Sequence, residues 1–285
     1  MVHQPKLPYE GREVAFLTQH GKQNLLREMF ESNLGCRLLH TDAFDTDQLG
    51  TFTLEIPRSG SQLAAARQKS SIGKEITGAR IGLASEGSFS PDPHVGLFKW
   101  NTEILLWVDD DQGIEVSGIA SGPAQNMQAE LRNTEELMRF ANEAKFPTHH
   151  LIVRPESAKH PQLLKGIQTQ EQLLNAFHTA MAQSSNGLVS VENDLRAFAN
   201  PTRQEIIKNA ATDLIQKLKS TCPTCKAPGY WRVKKIPGLL CSFCHRKTLL
   251  PVAEIWKCQA CDHEDQQDIP TTQFADPSRC DFCNP

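Results

Sequence analysis

Cysteine is nearly absent from the first 220 residues of this 285-residue chain, where Cys36 stands alone. The chain also lacks an apolar run near the roughly 20 residues that a membrane-spanning helix needs, and its net charge of −3 gives no strong excess of either sign. These absences argue against a membrane protein and against a nucleic-acid-binding surface along the whole chain. The polar start MVHQPKLPYEGREVAF contains no apolar segment of the signal-peptide type, so we expect a cytoplasmic protein.

The other eight cysteines lie within the last 64 residues. They form four Cys-x-x-Cys pairs, namely Cys222/Cys225, Cys241/Cys244, Cys258/Cys261 and Cys280/Cys283. Two intervening residues let one tight turn present both sulfurs to one ion, and two such turns complete a tetrahedral thiolate shell. Since this pattern favours metal over disulfides in a cytoplasmic chain, we predict two zinc ions with four cysteines each. The spacing also suits iron, although nothing in the sequence favours it.

Two pairings of the cysteine turns are compatible with the spacing. The gaps between successive pairs are 15, 13 and 18 residues. Joining neighbouring pairs produces two sites with zinc-ribbon spacing, and an interleaved arrangement, first with third and second with fourth, fits as well. The segment has too few apolar residues to fold by burial alone, so the metal should supply its stability.

Strand and helix patterns alternate before the cysteine segment. EVAFLTQ and CRLLHTDAF read as strands on either side of a helix, KQNLLREMFESNLG, which Gly35 ends. DDDQG between two alternating apolar runs predicts a hairpin. AELRNTEELMRFANEAKF is predicted to be one helix, TQEQLLNAFHTAMAQSSNG another that stops at Gly187, and Pro201 should lie in the first turn of a third. The alternation predicts an α/β fold, a mixed sheet with flanking helices.

The turn between the first strand and the first helix has the parts of a phosphate-binding loop. Thr18 supplies a hydroxyl, Gly21 a turn and Lys22 a cation at a helix start. It is not a Walker A loop, because Phe16 and Gln23 occupy the positions of the required glycine and hydroxyl residue. A solvated strand-to-helix turn is the alternative interpretation.

The order of strand, Thr-x-x-x-Lys loop, helix and strand, followed by AAARQKS and LASEGSF, resembles the inosine-triphosphatase/Maf-like nucleotide pyrophosphatases over residues 14–120. The resemblance implies a pyrophosphatase-like fold in which Thr18, His20, Gly21 and Lys22 hold phosphate. Lys69 would match the family's helix lysine, and Glu86 its magnesium-binding acidic residue. The loop is one residue shorter than the family's, His20 lies near its Asn position, and the acidic residue that usually precedes the helix lysine is replaced.

Further candidates surround this loop. A magnesium ion would need carboxylate oxygens, for which Glu86 is the first choice and Asp42, after the second strand, the next. Arg58 could hold an anion, although a surface arginine is the simpler interpretation. Glu192, Asp194, Arg196, Asn200 and Arg203 follow a later strand closely and are expected to form an ion-pair cluster or a second wall of the site.

The whole chain also resembles an uncharacterised bacterial family that ends in a Cys-x-x-Cys tail. The motifs that carry this resemblance are GTFTLEIPRSGSQLAAAR, GLASEGSF, NDLRAFANPTR and RCDFCNP. It implies no established activity.

Two functions follow as hypotheses. In the first, residues 1–200 form a magnesium-dependent nucleotide-binding or nucleoside-triphosphate pyrophosphohydrolase domain, in which Lys22 and Glu86 are catalytic. A connecting helix at 201–220 then leads to a double zinc ribbon at 221–285. In the second, the protein is a non-catalytic adaptor. Residues 221–250 contain six basic and no acidic residues, so this first ribbon could bind nucleic acid, with Tyr230 and Trp231 stacking on bases, or a protein. It could equally dock on residues 251–285, which carry a net charge of −5.

Overall fold

The computed structural model describes residues 7–46, 61–93, 96–270 and 274–285. Within these ranges the strands form three separate sheets of five, four and three strands. Helices flank the first two sheets, which confirms the predicted mixed α/β character.

The first sheet contains the candidate phosphate loop. Its strand order is β2-β1-β3-β4-β5, with β1 parallel to β2 and β3, and β3, β4 and β5 antiparallel. The predicted first helix, its Gly35 end and the hairpin around DDDQG are confirmed. The elements are β1 (Glu13–Leu17), α1 (Lys22–Leu34), β2 (Arg37–Thr41), α2 (Gln62–Thr77), β3 (Ile81–Pro91), β4 (Lys99–Asp109) and β5 (Ile114–Pro123).

Helices cover both faces of this sheet. On one face α1 packs with α5 (Pro201–Lys219), and Phe30 and Leu214 share a core with Trp107 of β4. On the other face Ala66 of α2 meets Leu106. The change of face between Trp107 and Leu106 follows the two-residue period of a strand. Pro201 begins α5 as predicted, and the predicted connector at 201–220 therefore also supplies one wall of the first core.

The second sheet has its own core and runs in the order β6-β9-β7-β8, antiparallel throughout. Leu137, Phe140, Leu173 and Phe177 pack against it from two helices. The elements are β6 (Gln128–Leu131), α3 (Thr134–Glu143), β7 (Leu151–Pro155), β8 (Leu164–Ile167), α4 (Gln170–Gln183) and β9 (Val189–Asn193).

Two boundaries in this region were predicted wrongly. AELRNTEELMRFANEAKF is not one helix, because its first residues pair with β9, and α3 starts only after Asn133, whose side chain accepts a hydrogen bond from the Glu136 backbone N–H. Gly187 does not end α4. The helix stops at Gln183, where Ser184 adopts an extended conformation. At the first boundary, strand pairing and the Asn133 cap set the start of α3 later than the helical periodicity predicted. At the second, the extended backbone of Ser184 ends α4 before Gly187.

The third sheet lies in the cysteine segment. It consists of β10 (Trp231–Pro237), β11 (Pro251–Lys257) and β12 (Glu264–Asp268) in that order, all antiparallel. Among the described residues, no helix combines the length and the hydropathy needed to cross a bilayer.

Candidate metal centres and a buried charged cluster

The eight clustered cysteines form two groups of four at opposite ends of the third sheet. We call them the proximal tetrad, Cys222, Cys225, Cys258 and Cys261, and the distal tetrad, Cys241, Cys244, Cys280 and Cys283. Within each group the sulfur atoms all lie within 4.8 Å of one another. The pairing is therefore interleaved, and this decides between the two arrangements that the spacing allows.

The sulfur geometry fits a tetrahedral ion. Zinc–sulfur bonds of about 2.3 Å place tetrahedral ligand sulfurs about 3.8 Å apart. The Cys222–Cys261 and Cys225–Cys258 sulfurs are 3.7 and 3.6 Å apart, and the corresponding distal distances are 3.8 and 3.6 Å. These separations are far longer than a disulfide bond. Both tetrads are positioned to bind metal, and four thiolates are consistent with zinc.

The strand directions explain the interleaving. Each strand of the third sheet connects one cysteine turn to the next, and successive strands run antiparallel. The chain therefore alternates between the two ends of the sheet, and the first and third turns meet at one end while the second and fourth meet at the other. The seven residues of β10 span about 20 Å, which keeps the two tetrads apart.

Backbone N–H groups prepare the cysteine turns for metal. The Phe243 N–H donates to Cys241 Sγ at 3.4 Å, and the Ala260 N–H donates to Cys258 Sγ at the same distance. Such bonds from Cys244 and Phe243 lower the pKa of the Cys241 thiol to about 7. Because zinc binds the thiolate form, these donors favour metal binding.

The surroundings of the proximal tetrad overturn one predicted role. Tyr230 is buried in a small core with Cys222 and Cys258, and its ring lies 5.6 Å from that of Trp256. It therefore packs inside the ribbon and is not available to stack on bases. Trp231 is half-buried and makes an edge contact with Trp256.

A second group of chemically notable residues surrounds Lys22 at the carboxyl end of β1. The Lys22 side chain is buried, and its Nζ donates to the backbone O and the Oγ of Ser85 at 3.1 and 3.0 Å. The Glu103 carboxylate lies 4.0 Å from the same nitrogen. Burial lowers the pKa of Lys22 to about 7, with Arg203 and Lys69 acting in the same direction and Glu103 and Glu86 opposing them.

Glu103 and Arg203 complete this cluster, although sequence analysis did not assign Glu103 to the site. Arg203 Nε, at the start of α5, donates to Glu103 at 2.7 Å, and both side chains are fully buried. Burial alone would raise the pKa of Glu103, but Arg203 and Lys22 hold it below its ordinary value. Gly87 permits the approach, because a Cβ there would lie 2.2 Å from Glu103 Oε1. A signal was present in the sequence, since Glu103 shares its strand face with Leu105 and Trp107 and a charge on a buried face needs a partner.

Lys69 and Glu86 form an adjacent ion pair on the other face of the sheet. Lys69 projects from α2 and contacts the Glu86 carboxylate, whereas Ser85 and Gly87 face Lys22 and Arg203. The Gln62 side-chain amide donates to the Glu86 backbone O at 2.7 Å, which ties α2 to this point of β3. Lys22, Lys69 and Glu86, all predicted site residues, thus lie close together, but on two sides of one strand.

The other predicted site residues lie in the two loops that follow β1 and β2. Thr18 is buried, and its backbone O contacts His40 Nε2 at 2.9 Å. Gly21 precedes α1 with φ 73°, a conformation that favours glycine, and His20 is half-buried beside it. Asp42 is exposed in the loop after β2.

Magnesium has no preformed carboxylate site in the described ranges. Among the described residues, only the two cysteine tetrads bring three or more potential metal-ligand side chains together. Neither Glu86 nor Asp42 belongs to such a group. Arg58 lies outside the described residues.

The later charged residues divide between two roles. Asp194 and Arg196 pair with each other, and the Asn200 side chain accepts the Arg203 backbone N–H at the start of α5. The Arg203 side chain joins the Lys22 cluster. The segment therefore contains both an ion pair and a wall of the cluster.

Comparison with known proteins identifies a family but no activity. No curated protein and no solved structure gives a significant match, so the pyrophosphatase-like fold receives no support from these comparisons. One family model, described as "Domain of unknown function (DUF6671)", matches residues 69–285. This range includes Lys69, Glu86, Glu103, Arg203 and both tetrads, whereas the Lys22 loop precedes it. The chain belongs to this uncharacterised family, DUF6671.

Proposed function

We propose that the first sheet binds the phosphate groups of a nucleotide at the Lys22 cluster and releases pyrophosphate from nucleoside triphosphates with magnesium. In this proposal the two tetrads hold structural zinc. Closed four-cysteine sites leave no open coordination position for a substrate, so zinc would stabilise the ribbon and the chemistry would take place at the first sheet.

The observation that carries the proposal is the buried Lys22 ammonium at the start of α1. In the described part of the chain, its acceptors at hydrogen-bond distance are both on Ser85. The Glu103 carboxylate, at 4.0 Å, lies beyond hydrogen-bond distance, so a phosphate oxygen would accept from the third donor in its place. Among the described residues, Lys22, Lys69 and Arg203 bring three cationic side chains close to the two carboxylates Glu86 and Glu103. A phosphate would bind to these cationic groups, and the first backbone N–H groups of α1 would add donors.

The proposed reaction is a hydrolysis. A water oxygen attacks the α-phosphorus, the bond from that phosphorus to the bridging oxygen breaks, and pyrophosphate leaves with the electron pair while a water proton passes to solvent. Lys22 and Lys69 would stabilise the charge that develops on the phosphate oxygens. Glu86 and Asp42 would contribute carboxylates to a magnesium ion that neutralises phosphate charge when bound, with the remaining ligands from the substrate, as is common for this metal.

The direct test measures pyrophosphate release from a panel of nucleoside triphosphates with magnesium. We expect Lys22→Met and Glu86→Gln each to lower the rate at least about 100-fold, the usual effect of removing one transition-state contact. Lys208→Met is the matched control, because Lys208 lies on the exposed side of α5 and pairs only with Glu205 among the described residues. A wild-type, zinc-replete protein that neither binds nor hydrolyses any triphosphate would refute the proposal.

A second candidate function, an adaptor, is supported by β10. Lys234 and Lys235 are exposed on this strand, which forms one edge of the third sheet. β10 pairs with β11, which belongs to the acidic segment 251–285, and there Glu254 lies opposite Lys235 and 3.9 Å from Arg232. The acidic residues of β12 lie on the opposite edge, with β11 between them. Lys234→Glu with Lys235→Glu should abolish a salt-sensitive interaction of this strand with nucleic acid, measured as the affinity for an oligonucleotide at increasing salt.

A further inference from the structure

The cysteine turns of the two tetrads differ in what they expose. The distal turns read Cys241-Ser-Phe-Cys244 and Cys280-Asp-Phe-Cys283, with phenylalanine in the same position of each, whereas the proximal turns, CPTC and CQAC, contain no aromatic residue. Phe243 is 76% exposed and Phe282 59% exposed. Both rings adjoin cysteines of the distal tetrad, so they lie on the outside of one small unit. We call this unit, residues 231–250 and 274–285, the distal module.

Cationic groups accompany these rings. The Arg246 guanidinium lies over the Phe282 ring, 3.5 Å from its centroid, and thereby joins the first distal turn to the second. On the same module the His245 ring contacts Phe274, which is 53% exposed. A guanidinium stacked on an aromatic ring offers a flat, cationic surface of the kind on which nucleic-acid bases stack.

Positive charge near the distal tetrad is concentrated on β10 and the first distal turn. Residues 231–250 contain five basic and no acidic residues, and residues 274–285 contain one basic and two acidic residues, so these segments carry +4. Glu254, opposite Lys235 and 3.9 Å from Arg232, and Asp268 at the distal end of β12 reduce this to +2, and a zinc ion with four thiolates reduces it to zero. The exposed lysines of β10 are therefore the charges that an anionic partner can contact. The acidic strand β12 lies two strand spacings from β10, about 10 Å away, near the screening length at physiological salt.

We propose that the distal module binds single-stranded nucleic acid, with Phe243 and the Phe282–Arg246 pair stacking on bases and Lys234 and Lys235 contacting the phosphate backbone. This deepens the adaptor candidate and is independent of the Lys22 cluster. It transfers the stacking role that the sequence suggested for Tyr230, which is buried, to rings that a base can reach. A stacking platform accepts unpaired bases of any type, so the ligand class is a single strand without strict sequence preference.

The experiment uses the full-length, zinc-loaded protein and fluorescence anisotropy with labelled 12-nucleotide oligo-U RNA, oligo-dT DNA and a 12-base-pair DNA duplex. We expect binding of the single strands that weakens with salt, and weaker binding of the duplex. Phe243→Ser with Phe282→Ser should reduce single-strand affinity at least about tenfold, the loss typical of one stacked base. Phe98→Ser is the matched control, because Phe98 is 66% exposed at the start of the β4 hairpin and far along the chain from the tetrads.

Zinc content and the thermal transition of each variant establish that the module remains folded. Three outcomes would overturn the proposal: no binding of either single strand, equal binding of duplex and single strand, or affinity lost in Lys234→Glu with Lys235→Glu but unchanged in the phenylalanine variant. The last result would mean that β10 binds the phosphate backbone and that the phenylalanine rings do not stack on bases. Self-association that the phenylalanine variant abolishes, without oligonucleotide binding, would assign the rings to a protein contact instead.

Discussion

The proximal and distal tetrads have the same ligands but different relations to the rest of the protein. Near the proximal tetrad, the Gly229 N–H donates to Lys217 O and the Tyr230 N–H to Ser220 O, both at 3.2 Å, which ties the ribbon to the end of α5. The distal tetrad is surrounded by exposed apolar side chains, among them Leu249 at 74%. In the described residues, the backbone hydrogen bonds near the proximal tetrad thus reach α5, whereas those around the distal tetrad stay within the cysteine segment. We call the first tetrad the joint and the second the free end, and the same four ligands therefore do not imply the same role.

The largest effect is expected from removing one cysteine ligand from each tetrad in turn and comparing the two variants. Cys258→Ser and Cys280→Ser should each lower the zinc content from two ions to one per chain, since a closed site holds its ion poorly with three thiolates. We expect Cys258→Ser also to disrupt the Tyr230 core and lower the stability of the first core that α5 completes. Metal analysis and calorimetry of the two variants measure both quantities. Equal effects on the main unfolding transition would contradict the distinction between joint and free end.

A smaller contrast compares aromatic residues at the two tetrads. Tyr230→Ala should lower the free energy of unfolding by about 3 kcal/mol, because it empties a buried aromatic site. Phe243→Ala should change it by less than about 0.5 kcal/mol, as is usual for an exposed side chain. Denaturant unfolding followed by tryptophan fluorescence tests both values, and a large loss in Phe243→Ala would show that the distal rings stabilise the fold.

The glycines that flank β10 provide a third comparison. Gly229 has φ 85°, and a Cβ there would lie 2.6 Å from Val116 Cγ2 of β5, whereas Gly238, with φ 144°, would meet Val252 at 3.5 Å. Gly229→Ala should therefore cost about 2 kcal/mol or more, from backbone strain and overpacking together. Gly238→Ala should cost about 1 kcal/mol, from backbone strain alone. Equal melting temperatures of the two variants would mean that the ribbon does not press against β5.

The smallest expected effect is a difference in the pH dependence of ligand binding between the buried Lys22 and the exposed lysines of β10. Since burial lowers the pKa of Lys22 to about 7, its charge is present below pH 7 and lost as the pH rises above that value. Affinity for a non-hydrolysable nucleoside triphosphate should then fall about tenfold or less between pH 7 and 9, because one charge-assisted contact is lost. Lys22→Arg stays protonated and should remove this dependence, as calorimetric titration would show. The affinity of the distal module for single-stranded nucleic acid should not change between pH 7 and 9. A similar loss of affinity there would show that the pH dependence does not come from Lys22.

The local patterns of the chain predicted the local elements well. Periodic apolar residues and Gly35 placed α1, and the DDDQG turn placed the β4–β5 hairpin. The predicted helix AELRNTEELMRFANEAKF contains α3 but was wrong at its start, because its first residues pair with β9, about 60 residues away along the chain. The helix or strand propensity of a short segment can be estimated from its own residues. Whether the segment forms a strand also depends on a pairing partner that lies far away in the sequence.

Local spacing identifies the eight cysteines as candidate ligands, because a Cys-x-x-Cys turn brings two sulfurs to one ion wherever it lies in the fold. Which pairs share an ion depends on the fold, because the antiparallel return of β11 and β12 brings alternate turns together. The same holds for the Lys22 cluster. Glu103 and Arg203 are 100 residues apart, and only the packing of α5 against the first sheet places the guanidinium against the buried carboxylate, where each charge compensates the desolvation of the other.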